Sequence, residues 1–150
     1  MSLSTNSRSY FRLTFEQPLY AECKIIGVSG ASVESRKSPI CVLDLSANGL
    51  RCLSRLMLPA DSSILLEFRF VLLDKEIKIL GTIVRRKPLR DGLFEYAIVF
   101  SAYDHEMDAL SGLINIVAAK LRKTKVLSSC SFCTPAQMEE ITGSSVGFSS

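Results

Sequence analysis

Asp44, Ser46 and Gly49 lie in the run Asp44-Leu45-Ser46-Ala47-Asn48-Gly49, where an apolar stretch meets a turn signal. Strand side chains alternate, so Asp44 and Ser46 should share the face opposite Leu43 and Leu45, about 7 Å apart at ~3.3 Å per residue. A carboxylate beside a hydroxyl on the outside of a strand can accept two hydrogen bonds from the Watson–Crick edge of guanine, with the serine as a rotatable donor or acceptor. Gly49 reads as a residue free to take positive φ, letting a ligand come close to the backbone. Arg8-Ser9-Tyr10-Phe11-Arg12 offers the complementary chemistry. Guanidinium forks match phosphate oxygens and the O6/N7 edge of guanine, and they stack on purine faces. On an arm ahead of the first strand, Arg8 and Arg12 could fold over an anionic nucleotide, so that binding orders the arm. Asn48 and Arg51, in and beside the turn, and Arg85, near the end of a later strand, are candidates for secondary contacts.

Period-two alternation dominates from Tyr10 to Ser101 and supplies the elements that would hold these groups. Leu66, Phe68 and Phe70 share one strand face; Ile77, Ile79 and Ile83 share another; Phe94, Tyr96, Ile98 and Phe100 a third. Phe11 to Glu16, Leu19 to Val28, Pro39 to Ser46 and Leu50 to Leu56 are further strand candidates. Gly27 to Ser38, Ala47-Asn48-Gly49 and Arg90-Asp91-Gly92 separate them as loops and turns. Such a run of short antiparallel strands predicts a small all-β barrel. The period then changes. Met107, Leu110, Ile114, Val117 and Leu121 recur at helical spacing, with acids before the stripe and Lys120, Arg122 and Lys123 after it. Ser101 with Asp104 suggests a capping box, and the helix must bury its stripe against the barrel. The expected organisation is a flexible N-terminus over 1–7, a barrel with its C-terminal helix over 8–125, and a Ser-rich tail over 126–150. Within that tail, Thr134-Pro135-Ala136-Gln137 could start a short helix over 135–142.

Composition narrows the functional classes. The net charge of +3 is too mild to argue for DNA or acidic-membrane binding. No stretch reaches the ~18 apolar residues of a membrane span, and no secretion signal is visible. Five cysteines, an odd number, do not form a disulfide framework, so a reducing cytoplasm is the expected location. Cys23, Cys41 and Cys52 read as small hydrophobes in strands. Cys130-x-x-Cys133 offers only half of a structural zinc site, and a site shared across a dimer is the sole arrangement that would complete it. His105 is the only histidine and sits among acids, so neither a metal site nor a nucleophilic triad is expected.

Arg8 and Arg12, followed about thirty residues later by Asp44-x-Ser46-x-x-Gly49 at a strand-to-strand turn, form a joint pattern. With the barrel strands and the helix after it, that pattern resembles the PilZ domain family over roughly Arg8 to Lys125. Gly49-Leu50-Arg51, Leu58-Pro59, Gly81-Thr82-Ile83-Val84 and Tyr96-Ala97-Ile98-Val99-Phe100 also resemble the family. The resemblance implies a six-stranded antiparallel barrel with a C-terminal helix, binding cyclic di-GMP on its outside. It implies that Arg8 and Arg12 clamp phosphates and guanine edges, that Asp44 and Ser46 read a guanine, and that Gly49 holds the turn. The expected protein is a receptor, monomeric or homodimeric, that engages a downstream protein, uses no cofactor and is not an enzyme. The first alternative is a PilZ-like interaction module without nucleotide affinity. A barrel for single-stranded nucleic acid would need exposed aromatics in a basic groove, whereas most aromatics here lie on apolar faces. A carboxylate-pair hydrolase would have only Glu67 and Glu76 to stand on.

Overall fold

Alternating apolar and polar residues from Leu13 to Ser101 form seven antiparallel strands. The computed structural model describes residues 9–90 and 92–143; Arg8, the arm over 1–7 and the end of the tail lie outside the described residues. The strands are β1 (Leu13–Val28), β2 (Ala31–Ser32), β3 (Ser38–Ser46), β4 (Gly49–Ser54), β5 (Ile64–Leu72), β6 (Lys75–Arg90) and β7 (Leu93–Ser101). They pair in the order β2-β1-β3-β4-β7-β6-β5, and β5 pairs back onto β1. Six strands therefore close a ring, as the alternation implies, while the two-residue β2 only extends one end of β1. Closure leaves those six strands without a free edge except where the β1–β5 pairing stops short.

Inward faces fill the barrel with Leu19, Val42, Leu45, Leu50, Leu66, Phe68, Ile83 and Tyr96, all buried. Cys23 and Cys52 belong to the same core as free thiols. Burial pushes the Cys23 thiol up to about 12 and the Cys52 thiol also upward.

Three irregularities adjust the simple alternation. The separate strands expected over Phe11–Glu16 and Leu19–Val28 are one strand, β1, whose register against β3 breaks between Thr14 and Leu19. β3 carries a bulge at Leu43, between the pairs Val42–Cys52 and Asp44–Arg51. Leu43 and Leu45 consequently do not share a face: Leu45 packs in the barrel core, Leu43 against a second cluster outside it. β6 runs well past Ile83, with a further bulge at Val84, between the pairs Ile83–Ile98 and Arg85–Ala97.

The helix α1 (Asp104–Leu121) buries Met107, Leu110, Ile114 and Val117 in the barrel core. Its N-cap is Tyr103 rather than Ser101, because Ser101 is still paired in β7; the Glu106 carboxylate accepts from the Tyr103 N–H at 2.9 Å. No described helix is long and apolar enough to cross a membrane.

The chain after α1 packs back onto the barrel. β1 and β5 pair only through residues 22–28 and 64–69, and the segment around Ser131 bridges them beyond that point. Tyr20 N–H donates to the Ser131 carbonyl at 2.6 Å, and Ser131 N–H donates to the Val71 carbonyl at 3.1 Å. The Ser131 hydroxyl accepts from Val71 N–H at 3.0 Å and donates to the Tyr20 carbonyl at 2.9 Å. A second helix, α2 (Pro135–Thr142), follows with Thr134 as N-cap and Gly143 in the left-handed conformation as C-cap. It covers the outer faces of β3 and β4 through a small cluster of Cys41, Leu53, Leu93, Cys133, Met138 and Ile141. Cys130 instead joins the barrel core, so the two cysteines of the C-x-x-C pack in different clusters.

Two outcomes follow. Ser131→Ala removes the hydroxyl that bridges β1 and β5, and we expect a loss of about 1–3 kcal/mol, measured by urea unfolding. For Cys23, the folded thiol holds its proton to about 12 while the unfolded thiol releases it near 9.0. The unfolded state therefore binds fewer protons across that interval, and stability should fall with rising pH by about 1.4 kcal/mol per unit per thiol. Unfolding curves collected across that alkaline range should be less steeply pH-dependent in Cys23→Ala.

Candidate functional site

The β3–β4 hairpin and the chain entering β1 meet on the outside of the barrel. By strict alternation Asp44 would point inward with Val42; the bulge at Leu43 turns it out. Ser46 follows two residues later on the same face, as expected, and the chain turns through Ala47 and Asn48 into Gly49.

Asp44 is buried although it faces outward, because two arginines cover it. Arg12 ion-pairs with its Oδ1, and Arg51 Nε donates to its Oδ2 at 2.8 Å. Arg51 also donates to Glu95 Oε2 at 3.0 Å from Nη1, and these two bonds hold its guanidinium charge more firmly than usual. Arg12 Nη2 donates to Ser46 Oγ at 3.3 Å, and Ser46 Oγ donates to Asn48 Oδ1 at 2.6 Å. Arg12, Asp44, Ser46, Asn48 and Arg51 thus form one hydrogen-bonded cluster. The Arg12 side chain remains 46% exposed, so solvent and solutes reach it.

Gly49 acts differently from the expectation. It is not among the described glycines with positive φ. Its role is steric: a Cβ there would lie 2.3 Å from the Ile98 carbonyl oxygen, so only glycine lets β4 approach β7 this closely.

Arg85 stands farther away on the same outer surface. Thr14, Asp44, Arg51, Ala97 and Arg85 are successive cross-strand neighbours on β1, β3, β4, β7 and β6. The bulge at Val84 keeps Arg85 outward although Ile83, two residues earlier, is in the core. Three strand spacings put its backbone roughly 14 Å from that of Asp44. Glu95 was missed in the sequence. Its outward orientation follows from alternation between Phe94 and Tyr96, but its meeting with Arg51 depends on which strands are neighbours. Glu67, weighed as a catalytic acid, is held by Arg69 at 2.9 Å and lies 3.9 Å from Lys24. Tyr10 ties the arm to α1, its hydroxyl donating to Asp108 Oδ1 at 3.2 Å.

A family model described as PilZ domain matches residues 6–119. A comparison with the sequences of curated proteins finds no match. Among solved structures the chain is similar to MrkH of K. pneumoniae in its apo state, with 16% identity and a TM-score of 0.53, over 80% of this chain and 56% of that one. It is similar to the Bacillus subtilis inhibitor of motility MotI/DgrA, with 15% identity and a TM-score of 0.52, over 79% and 54% of the two chains. It also resembles the PilZ domain of Escherichia coli YcgR, solved with c-di-GMP, with 13% identity and a TM-score of 0.50, over 81% of this chain and 100% of that one. At these identities the likeness is one of fold. The matched region spans little more than half the length of MrkH and MotI.

Gly49→Ala tests the steric role of the hairpin. We expect a loss of about 1–3 kcal/mol in urea unfolding, since backbone rather than a movable side chain opposes the added methyl.

Proposed function

Because the chain belongs to the PilZ domain family, we propose that it is a cytoplasmic receptor for cyclic di-GMP, which it binds on the outer surface of its barrel without catalysing a reaction. Asp44, Ser46 and Gly49 on the hairpin and Arg8 and Arg12 on the arm would form the site, with Asn48, Arg51 and Arg85 as secondary contacts. The observation that carries the reading is the cluster in which Arg12 reaches both Asp44 and Ser46 across more than thirty residues of sequence. A carboxylate, a hydroxyl and a guanidinium are groups that would suit guanine recognition, and the exposed Arg12 opens the cluster to solvent. The YcgR domain, solved with c-di-GMP, has the same fold.

The geometry supports a displacement mechanism. Arg12 occupies the carboxylate edge that guanine N–H and NH₂ donors would take. Guanine would replace one set of donors on Asp44 with another and release the Arg12 guanidinium towards a phosphate or the O6/N7 edge. Arg51, bonded to the other carboxylate oxygen, would hold Asp44 in place throughout. Released from Asp44, the arm would settle over the nucleotide with Arg8. Tyr10, bonded to Asp108, would relay that change to α1 and from there to a partner protein.

A second reading has an observation in its favour. The Arg12 cluster is already satisfied internally, which suits an interaction module that never binds nucleotide. Calorimetric titration decides between them. Wild type should bind cyclic di-GMP at micromolar or tighter affinity, more weakly as salt rises, and should not bind GTP comparably. Arg8→Ala/Arg12→Ala removes two charge-assisted anchors worth about 1.5–3 kcal/mol each, so at least ~100-fold should be lost. No heat and no competition at any salt would leave the interaction module as the answer.

A further inference from the structure

The cluster beneath α2 contains three sulfur atoms from three parts of the chain. Cys41 Sγ, on β3, lies 3.7 Å from Cys133 Sγ and 3.6 Å from Met138 Sδ. Cys133 belongs to the segment after α1, and Met138 to α2 itself. All three residues are buried; Leu53, Leu93 and Ile141 complete the cluster, and Tyr20 and Leu43 pack against it. Both cysteines are free.

The geometry points to a soft monovalent metal site, of the Cu(I) or Ag(I) class, formed by Cys41, Cys133 and Met138. A metal about 2.3 Å from each sulfur would subtend about 107° between the cysteines and about 103° between Cys41 and Met138. Both angles lie below the 120° of planar three-coordination and suit a metal seated pyramidally above the three sulfurs. Two thiols with a thioether are a ligand set that selects Cu(I) over harder ions. Structural zinc wants a fourth ligand, and no set of three His, Cys, Asp or Glu residues able to hold a metal occurs among the described residues. Binding releases two protons: each thiol gives one to solvent as its sulfur bonds the metal, and no electron is transferred. In the absence of metal, the hydrogen bond with Cys41 and then burial push the Cys133 thiol up, so it keeps its proton at neutral pH. Cys130, the other half of the C-x-x-C, packs in the barrel core and takes no part. The site would fasten the tail to β3, three residues from Asp44.

The test is anaerobic titration of the full chain with Cu(I) held by a coloured competing chelator, followed by X-ray absorption of the loaded protein. Wild type should withdraw one equivalent and show three sulfur neighbours without nitrogen or oxygen. Losing a ligand should exceed the 10–100-fold cost of losing an outer-shell partner, so Cys41→Ser and Cys133→Ser should each lose more than about 100-fold. Met138→Leu conserves volume and should fold normally; it should weaken binding and leave two sulfurs in the absorption spectrum. That variant keeps the test decisive should a buried serine impair folding. Cys130→Ser should bind as wild type does. Failure to compete with the chelator, a first shell containing nitrogen or oxygen, or unaltered binding in Met138→Leu would overturn the assignment.

Discussion

A carboxylate shut away from water must be met by donors, or the cost of desolvating its charge falls on the fold. Asp44 is such a group, and two guanidinium groups meet it, one on each oxygen. That requirement organises the face around it. Arg51 must lie opposite on β4, which sets the hairpin register; Glu95 on β7 balances Arg51; the arm must enter β1 where Arg12 can reach. Gly49 lets β4 lie close enough to β7 for this arrangement to form. The residues proposed for recognition are therefore the ones that hold this face together, with Asp44 buried between two guanidinium groups and Arg12 still exposed.

Most of the barrel was legible in the residues because alternation is a local property. Leu66, Phe68 and Phe70 declare their shared face without knowledge of any other strand, and Met107 to Val117 do the same at helical spacing. What escaped was the effect of a single inserted residue. Leu43 and Val84 look like ordinary members of their strands, yet each is a bulge that reverses the faces after it. The pairing of Asp44 with Ser46 survived because both follow the bulge, whereas Leu43 and Leu45 straddle it. Gly49 was recognised as special for the wrong physical reason: its crowding comes from Ile98, nearly fifty residues away. Glu95 and the Cys41–Cys133 approach were hidden for the same cause, being contacts between elements distant in sequence. Arg8 lies outside the described residues, so its part remains a matter of the sequence pattern.

The segment around Ser131 adds a folding consequence to its bridging role. It completes the junction of β1 and β5, yet it is made after every strand it joins. Domains generally fold as units during synthesis, with N-terminal parts emerging first. Here the first strand must wait for a segment made after all the other strands before its pairing around Tyr20 is complete. During that interval, the polar backbone groups of Tyr20 and Val71 have only water as partner, along an unprotected strand edge. A growing chain of this protein is thus open to mispairing with a neighbour until the segment around Ser131 has been made, and that segment acts as the latch that ends the exposure.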